Sequence, residues 1–274
     1  MRTRAMLSFA VIALLAIMPG PVSAEGRPAA DFPGVSLLVR VTTVFYAGTG
    51  ADAAAPADLG GPCPKATTCT LHALSDVRRK VDDTGKVVIP FAYNDGKRRE
   101  LRAQDESTVR AALGRAMGEW SRWNSNIVFE DTGRSDVEFG ATGEDGSCSD
   151  GVNVITWGRF DQNVLGAAST CLDRTSKIVR DTDLSLNVVH RWVDGVDRRP
   201  LSYDLQSIYT HELGHWLQLQ QPDPFFGSRQ TMYASAQPNE IFKRTLALGD
   251  VVGIQKAYPC GEGDSCPRTG IVDD

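Results

Sequence analysis

The 274-residue chain has no excess of basic residues. Lys and Arg number 29 against 34 Asp and Glu, for a formal net charge of −5. A mildly acidic chain has no electrostatic case for binding nucleic acid or anionic membranes. Nor does it have a long apolar run beyond its start. Ala5–Met18 is too short to span a bilayer comfortably, and no later stretch reaches about 18 apolar residues. No stable membrane association is therefore expected. Internal repeats and coiled-coil heptads are absent, and none of its cysteines sits in a redox CxxC or zinc-knuckle spacing.

The short apolar run has a different meaning. Arg2 and Arg4 precede it, Pro19, Gly20 and Pro21 follow, and Val22-Ser23-Ala24 makes a small-residue cleavage site. Residues 1–24 thus read as a signal peptide, and the chain as secreted, extracellular or periplasmic. Removing them takes away two arginines and no acid, so the mature protein is slightly more acidic still. An even set of six cysteines in an exported chain argues for disulfides. Six cysteines allow 15 pairings, and sequence neighbours are the expected partners: Cys63–Cys69, Cys148–Cys171 and Cys260–Cys266.

Residues 25–85 read as an N-terminal extension with a strand (Val35–Tyr46) and a small disulfide loop. Residues 86–260 read as one domain, and 261–274 as a polar tail. Lys86–Tyr93, Ile127–Glu130, Val137–Gly140 and Val152–Trp157 are expected strands, with Leu165–Thr170 and Ile178–Val189 as further extended segments. Ser107 is the expected cap of a helix whose apolar stripe runs Val109, Ala112, Leu113, Ala116, Met117, Trp120 and Trp123. A closing helix is expected to end at Tyr258. Glu144-Asp145-Gly146 and Ser149-Asp150-Gly151 lack the alternating ligands of a calcium loop and read as turns. His72 and His190 have no ligand spacing and read as surface or structural residues.

The remaining histidines carry the chemistry. His211-Glu212-Leu213-Gly214-His215 lies in an amphipathic stretch that Asp204 can cap and that Pro222 and Pro224 can stop. Imidazoles at i and i+4 share a helical face and can reach one zinc ion, with Glu212 within a turn to take a proton from water at the metal. The apolar face is expected to be buried and the HExxH flank open to chemistry.

With this motif come Asn153-Val154-Ile155-Thr156-Trp157-Gly158, Asp181–Asn187, Tyr203–Ser207, Met232-Tyr233, and Leu246, Asp250, Gly253 and Ile254. In that order, over roughly residues 87–258, the chain resembles the matrixin branch of the metzincin zinc endopeptidases, in its bacterial secreted form. The resemblance implies an α+β, zincin-like fold: a twisted, five-stranded, mostly parallel sheet backed by helices, including the active-site helix and a C-terminal helix. It implies Zn2+ held by His211 and His215, Glu212 as catalytic base, and Met232 as the methionine turn below the metal. Leu165–Ser169 would be the edge strand on which an extended peptide pairs, with Cys148–Cys171 pinning the loop before it and Tyr233–Glu240 lining the pocket beyond the cut.

The family pattern continues as HExxHxxGxxH or its Asp variant; here Gln218 replaces the glycine and Gln221 the third ligand. Gln221, Asp223 or water alone remain as the third corner, and Glu240 is a remoter alternative. No cysteine switch is present, because Gly61-Pro62-Cys63-Pro64 lacks the motif. The expected function is a monomeric, secreted zinc endopeptidase acting on protein or peptide. The alternative is a weak or inactive pseudoprotease serving as an exported binding protein.

Overall fold

A computed structural model describes residues 38–48, 73–98, 104–199, 201–222, 230–260 and 266–267. The signal peptide, His72, Cys63, Cys69 and Asp223 lie outside them. By contact density the chain divides into Met1–Ser36 and Leu37–Asp274, and all that follows concerns the second unit. Among the described residues, no helix is long and apolar enough to cross a membrane.

The fold is mixed α/β, built on a mostly parallel sheet. Strand β3 (Val87–Tyr93) pairs in parallel with β4 (Ile127–Arg134) on one side and β5 (Val154–Gly158) on the other. Next to β5 comes β7 (Ile178–Asn187), also parallel, and β6 (Val164–Asp173) runs antiparallel beside β7. These are the five expected strands. Two more extend the sheet past β6: β1 (Leu38–Ala47), antiparallel to it along its length, and β11 (Ser235–Ala236), parallel to β1. The sheet is therefore seven-stranded rather than five-stranded, and β6 is not an open edge. Four short strands complete the set, β2 (Ala73–Leu74) pairing with β10 (Leu219–Gln220) and β8 (Arg191–Val193) with β9 (Ser202–Asp204).

Helix α1 (Glu106–Trp123) connects β3 to β4 and buries the expected stripe, with Trp123 only partly covered. Its cap is Asp105, not Ser107. The Asp105 carboxylate accepts from the Thr108 amide at 2.8 Å, and the Ser107 hydroxyl donates to it at 2.7 Å. A charged acceptor at the positive end of the helix dipole outcompetes a hydroxyl. Helix α2 (Leu205–Trp216) packs on α1 and lies along β6, and Trp120 Nε1 donates to Thr210 O at 2.9 Å between the two helices. Helix α3 (Leu248–Ala257) closes the domain. Val137–Gly140, expected as a strand, is irregular, with Gly140 in the left-handed region at φ +74°.

The bridge between Cys148 and Cys171 ties the loop before β5 to β6, and the bridge between Cys260 and Cys266 closes the chain beyond α3. Arg40 of β1 donates to the carbonyls of Gly140, Ala141 and Cys148 in that loop. Beneath the loop lie two buried aspartates. Asp183 accepts from Gly140 N at 2.8 Å; Asp181 accepts from Asp150 N at 3.1 Å through Oδ2, while its Oδ1 has no partner. Burial first, then the neighbouring Asp150, pushes Asp181 up to about 6; burial and Asp181 push Asp183 up to about 7. With both folded values above the unfolded one, the folded chain holds extra protons. The stability they contribute is full below about pH 4 and is lost as pH rises through 6–7. Asp181→Asn should remove part of that slope and stabilise the protein by about 1–3 kcal/mol at pH 8. Thermal melts at pH 5 and 8 should show the larger gain at pH 8; a gain independent of pH would contradict the assignment.

Candidate metal centre

Helix α2 starts where Asp204 accepts from Ser207 N at 2.9 Å, and the same carboxylate takes two bonds from Arg244 at 2.6 and 2.8 Å. The helix is buried on all sides, including the flank expected to be open. It ends at Trp216, well before Pro222. Gln218 adopts φ +69°, the left-handed turn that the family pattern assigns to glycine, and its amide donates to His215 O at 3.1 Å. That bond offsets part of the roughly 1 kcal/mol cost of a side chain there.

The turn lets the chain serve the histidines from both directions. His215 Nδ1 lies 2.8 Å from Leu219 O, and His211 Nδ1 lies 2.8 Å from Thr231 O. A carbonyl can only accept, so each ring carries its proton on Nδ1 and leaves the Nε2 lone pair free. The two rings lie 4.9 Å apart, nearly perpendicular, and both Nε2 atoms are buried without a partner. Glu212 is fully buried, and both of its carboxylate oxygens also lack partners. Oε1 faces β6 so closely that a Cβ on Gly166 would come within 2.7 Å of it. A side chain at 166 would have to displace that carboxylate.

Four buried polar atoms without partners on one helix are costly, about 1–3 kcal/mol each. Two neutral imidazoles and a carboxylate are donors of the kind zinc takes; the imidazoles supply two ligands, and no group of three His, Cys, Asp or Glu placed for a metal forms among the described residues. Burial, aided by His215 and Lys243, holds His211 well below its ordinary value, and burial lowers His215 to about 4. Both are neutral at physiological pH, as metal ligands must be. Burial pushes Glu212 well above the carboxylate range, a shift that a neighbouring dication would oppose.

Met232 lies under α2, where a Cβ on Gly214 would meet its sulfur at 2.2 Å. Asp250, at the start of α3, holds the turn that carries it. Its carboxylate accepts from Thr231 N at 2.6 Å and from Met232 N and Ala247 N at 3.2 Å. Burial raises Asp250 to about 6 against the pull of these bonds.

The third corner is not filled by a described residue. Among those residues, no group of three or more His, Cys, Asp or Glu is placed to hold a metal. Gln221 donates from its amide to Val44 O of β1 at 3.2 Å. Glu240 is committed to Lys243 at 2.6 Å and to Gln237 N at 3.0 Å. His190 is structural, with Nε2 2.7 Å from Val164 O and its ring edge-on to Trp192 and Tyr203. The groove across α1 and β4, about 670 Å3 and lined by Phe91, Met117 and Phe129 among others, does not include the histidines.

Two neighbours of the centre carry no sequence signal. Phe45 of β1 is fully buried and stacks on His211, with ring centroids 3.9 Å apart. Lys243, also fully buried, sits 4.0 Å above the Phe242 ring and 5.9 Å from that of Phe45.

No protein-family model matches the chain, and no match is found among curated proteins. Among solved structures it is similar to metalloproteinase-II from Bacteroides fragilis, at 12% identity and a TM-score of 0.37. The match covers 69% of this chain and 58% of that one. This chain thus spans less than two thirds of that structure, and a similarity of this depth assigns no chemistry to it.

Proposed function

We propose that the chain is a secreted, matrixin-like zinc endopeptidase. The observation that carries this reading is the pair of buried imidazoles on α2, each fixed through Nδ1 to a backbone carbonyl and free at Nε2, beside the unpartnered Glu212 carboxylate. His211 and His215 would hold the ion. Bound zinc supplies Lewis acidity, lowering the pKa of water and polarising a carbonyl. Glu212 accepts the proton of the attacking water and returns it to the leaving amine. Met232 gives the chamber an apolar floor, and the bridges at Cys148–Cys171 and Cys260–Cys266 suit an oxidising, extracellular setting.

A second reading is an exported pseudoprotease, in which the centre goes without a third protein ligand. Metal content separates the two. After dialysis the wild type should keep close to one zinc per chain, and its casein hydrolysis should stop with a chelator and return with zinc. A metal-free, inert protein would leave the pseudoprotease reading standing. Gln221→Ala should retain its zinc; a loss of most of it would put the Gln221 oxygen at the third corner.

A further inference from the structure

Strand β1 occupies the edge of β6 over its full length, from Leu38 opposite Asp173 to Tyr46 opposite Val164. Its side chains bury little. Of its ten residues Phe45 alone is buried, and Val41 and Tyr46 are about half exposed. What Phe45 covers is the metal centre itself, because its ring stacks on His211 at 3.9 Å. On the side facing away from β6, Val44 O is held by Gln221, and the end of the strand by β11 through Tyr46 N to Ala234 O at 3.2 Å. With β1 in place, His211 and Glu212 have no exposed surface, and no peptide bond can reach Glu212.

We propose that β1 is an autoinhibitory strand: Leu38–Ala47 fills the cleft as a resident extended peptide and must withdraw from β6 before a substrate can enter. The strand is held by backbone pairing with β6 and β11, by the Phe45 ring, by the Gln221 amide and by Arg40, which donates to the carbonyls of Gly140, Ala141 and Cys148; all of these contacts are non-covalent and reversible. Withdrawal frees the β6 edge to pair with an extended segment in the same antiparallel sense, with a bulky apolar side chain preferred at the position Phe45 now fills. The physiological meaning rests on the endopeptidase reading; the covering of the centre does not.

Three measurements on the full-length chain test this. Hydrogen exchange on the wild type should show β1 amides opening at least 10-fold faster than those of β5 and β7. If β1 exchanges with the slowest core amides instead, it is a permanent strand and the proposal falls, whatever the activity. Phe45→Ala removes the anchor. Thr43→Pro removes the ladder without touching the ring, because Val44 O points away from β6 and its neighbour Thr43 therefore pairs with it. Both variants should hydrolyse casein at least 10-fold faster than the wild type, and a synthetic peptide of residues 38–47 should suppress the gain. Folded variants with zinc bound and wild-type turnover would overturn the proposal. Fast β1 exchange together with a labelled 38–47 peptide that binds Thr43→Pro, but with no turnover in any variant, keeps β1 as a displaceable strand and counts against the endopeptidase reading alone.

Discussion

Glu212→Gln should keep its zinc and its fold while losing casein hydrolysis by about 10²–10⁴-fold, the usual worth of a general acid–base group. The substitution is nearly isosteric, and the chamber holding it is closed. Both carboxylate oxygens are buried without a partner, and burial already pushes Glu212 well above the ordinary carboxylate range. A neutral amide therefore places no new burden on the fold, and the thermal midpoint should hold or rise. His211 and His215 are oriented by Thr231 O and Leu219 O, not by Glu212, so zinc stoichiometry should not change. The amide, however, cannot accept a proton at neutral pH. Turnover, zinc content and melting measured on one preparation distinguish a missing base from a damaged site. Undiminished cleavage would end the assignment of Glu212 as base.

The second large effect is expected at Asp250, which touches neither histidine. Its two oxygens accept three buried backbone amides, those of Thr231, Met232 and Ala247. Asp250→Asn keeps the shape but turns an NH2 group toward at least one of these donors. The loss should be about 2–4 kcal/mol, because buried donors left without an acceptor carry most of their desolvation penalty. Thr231 is also the residue whose carbonyl orients His211, so zinc should bind about 10–100-fold more weakly. A melt and a competitive zinc titration read the two effects separately. A variant that loses stability but keeps wild-type zinc affinity would show that the Thr231 turn is held without Asp250.

Helix α2 is legible because its information is local. A capping aspartate and an apolar stripe act within a few residues, and Asp204 caps the helix that carries His211, Glu212 and His215, whose flank is buried rather than open. Asp105 and Ser107 are both capping types two residues apart, so composition alone does not choose between them; the charged Asp105 carboxylate takes the Thr108 amide. Pro222 looked like the helix stop, yet Gln218 turns the chain earlier by taking a left-handed conformation that no residue type announces. The partner of β1 was not legible at all. Apolar and β-branched content marks Val35–Tyr46 as a strand, but the choice of neighbour depends on a distant edge, and Phe45 carries nothing that points to His211. Lys243 was hidden for a similar reason, since a lysine is buried only where a partner such as Glu240 waits for it. A third ligand was not legible either, because Gln218 and Gln221 stand where the motif that the sequence resembles has glycine and a ligand.

The place of β1 in the sheet also bears on the order in which the molecule assembles. β1 is the earliest described strand in the chain, yet every β6 residue it pairs with lies more than 100 residues downstream. The connections from β3 through α1 to β4, and from β6 to β7, close much shorter loops. Loop-closure entropy favours those units first and delays contacts between distant segments. By that criterion β1, the earliest of these strands in the chain, is expected to dock after those units, tethered to the β6 edge by the intervening chain.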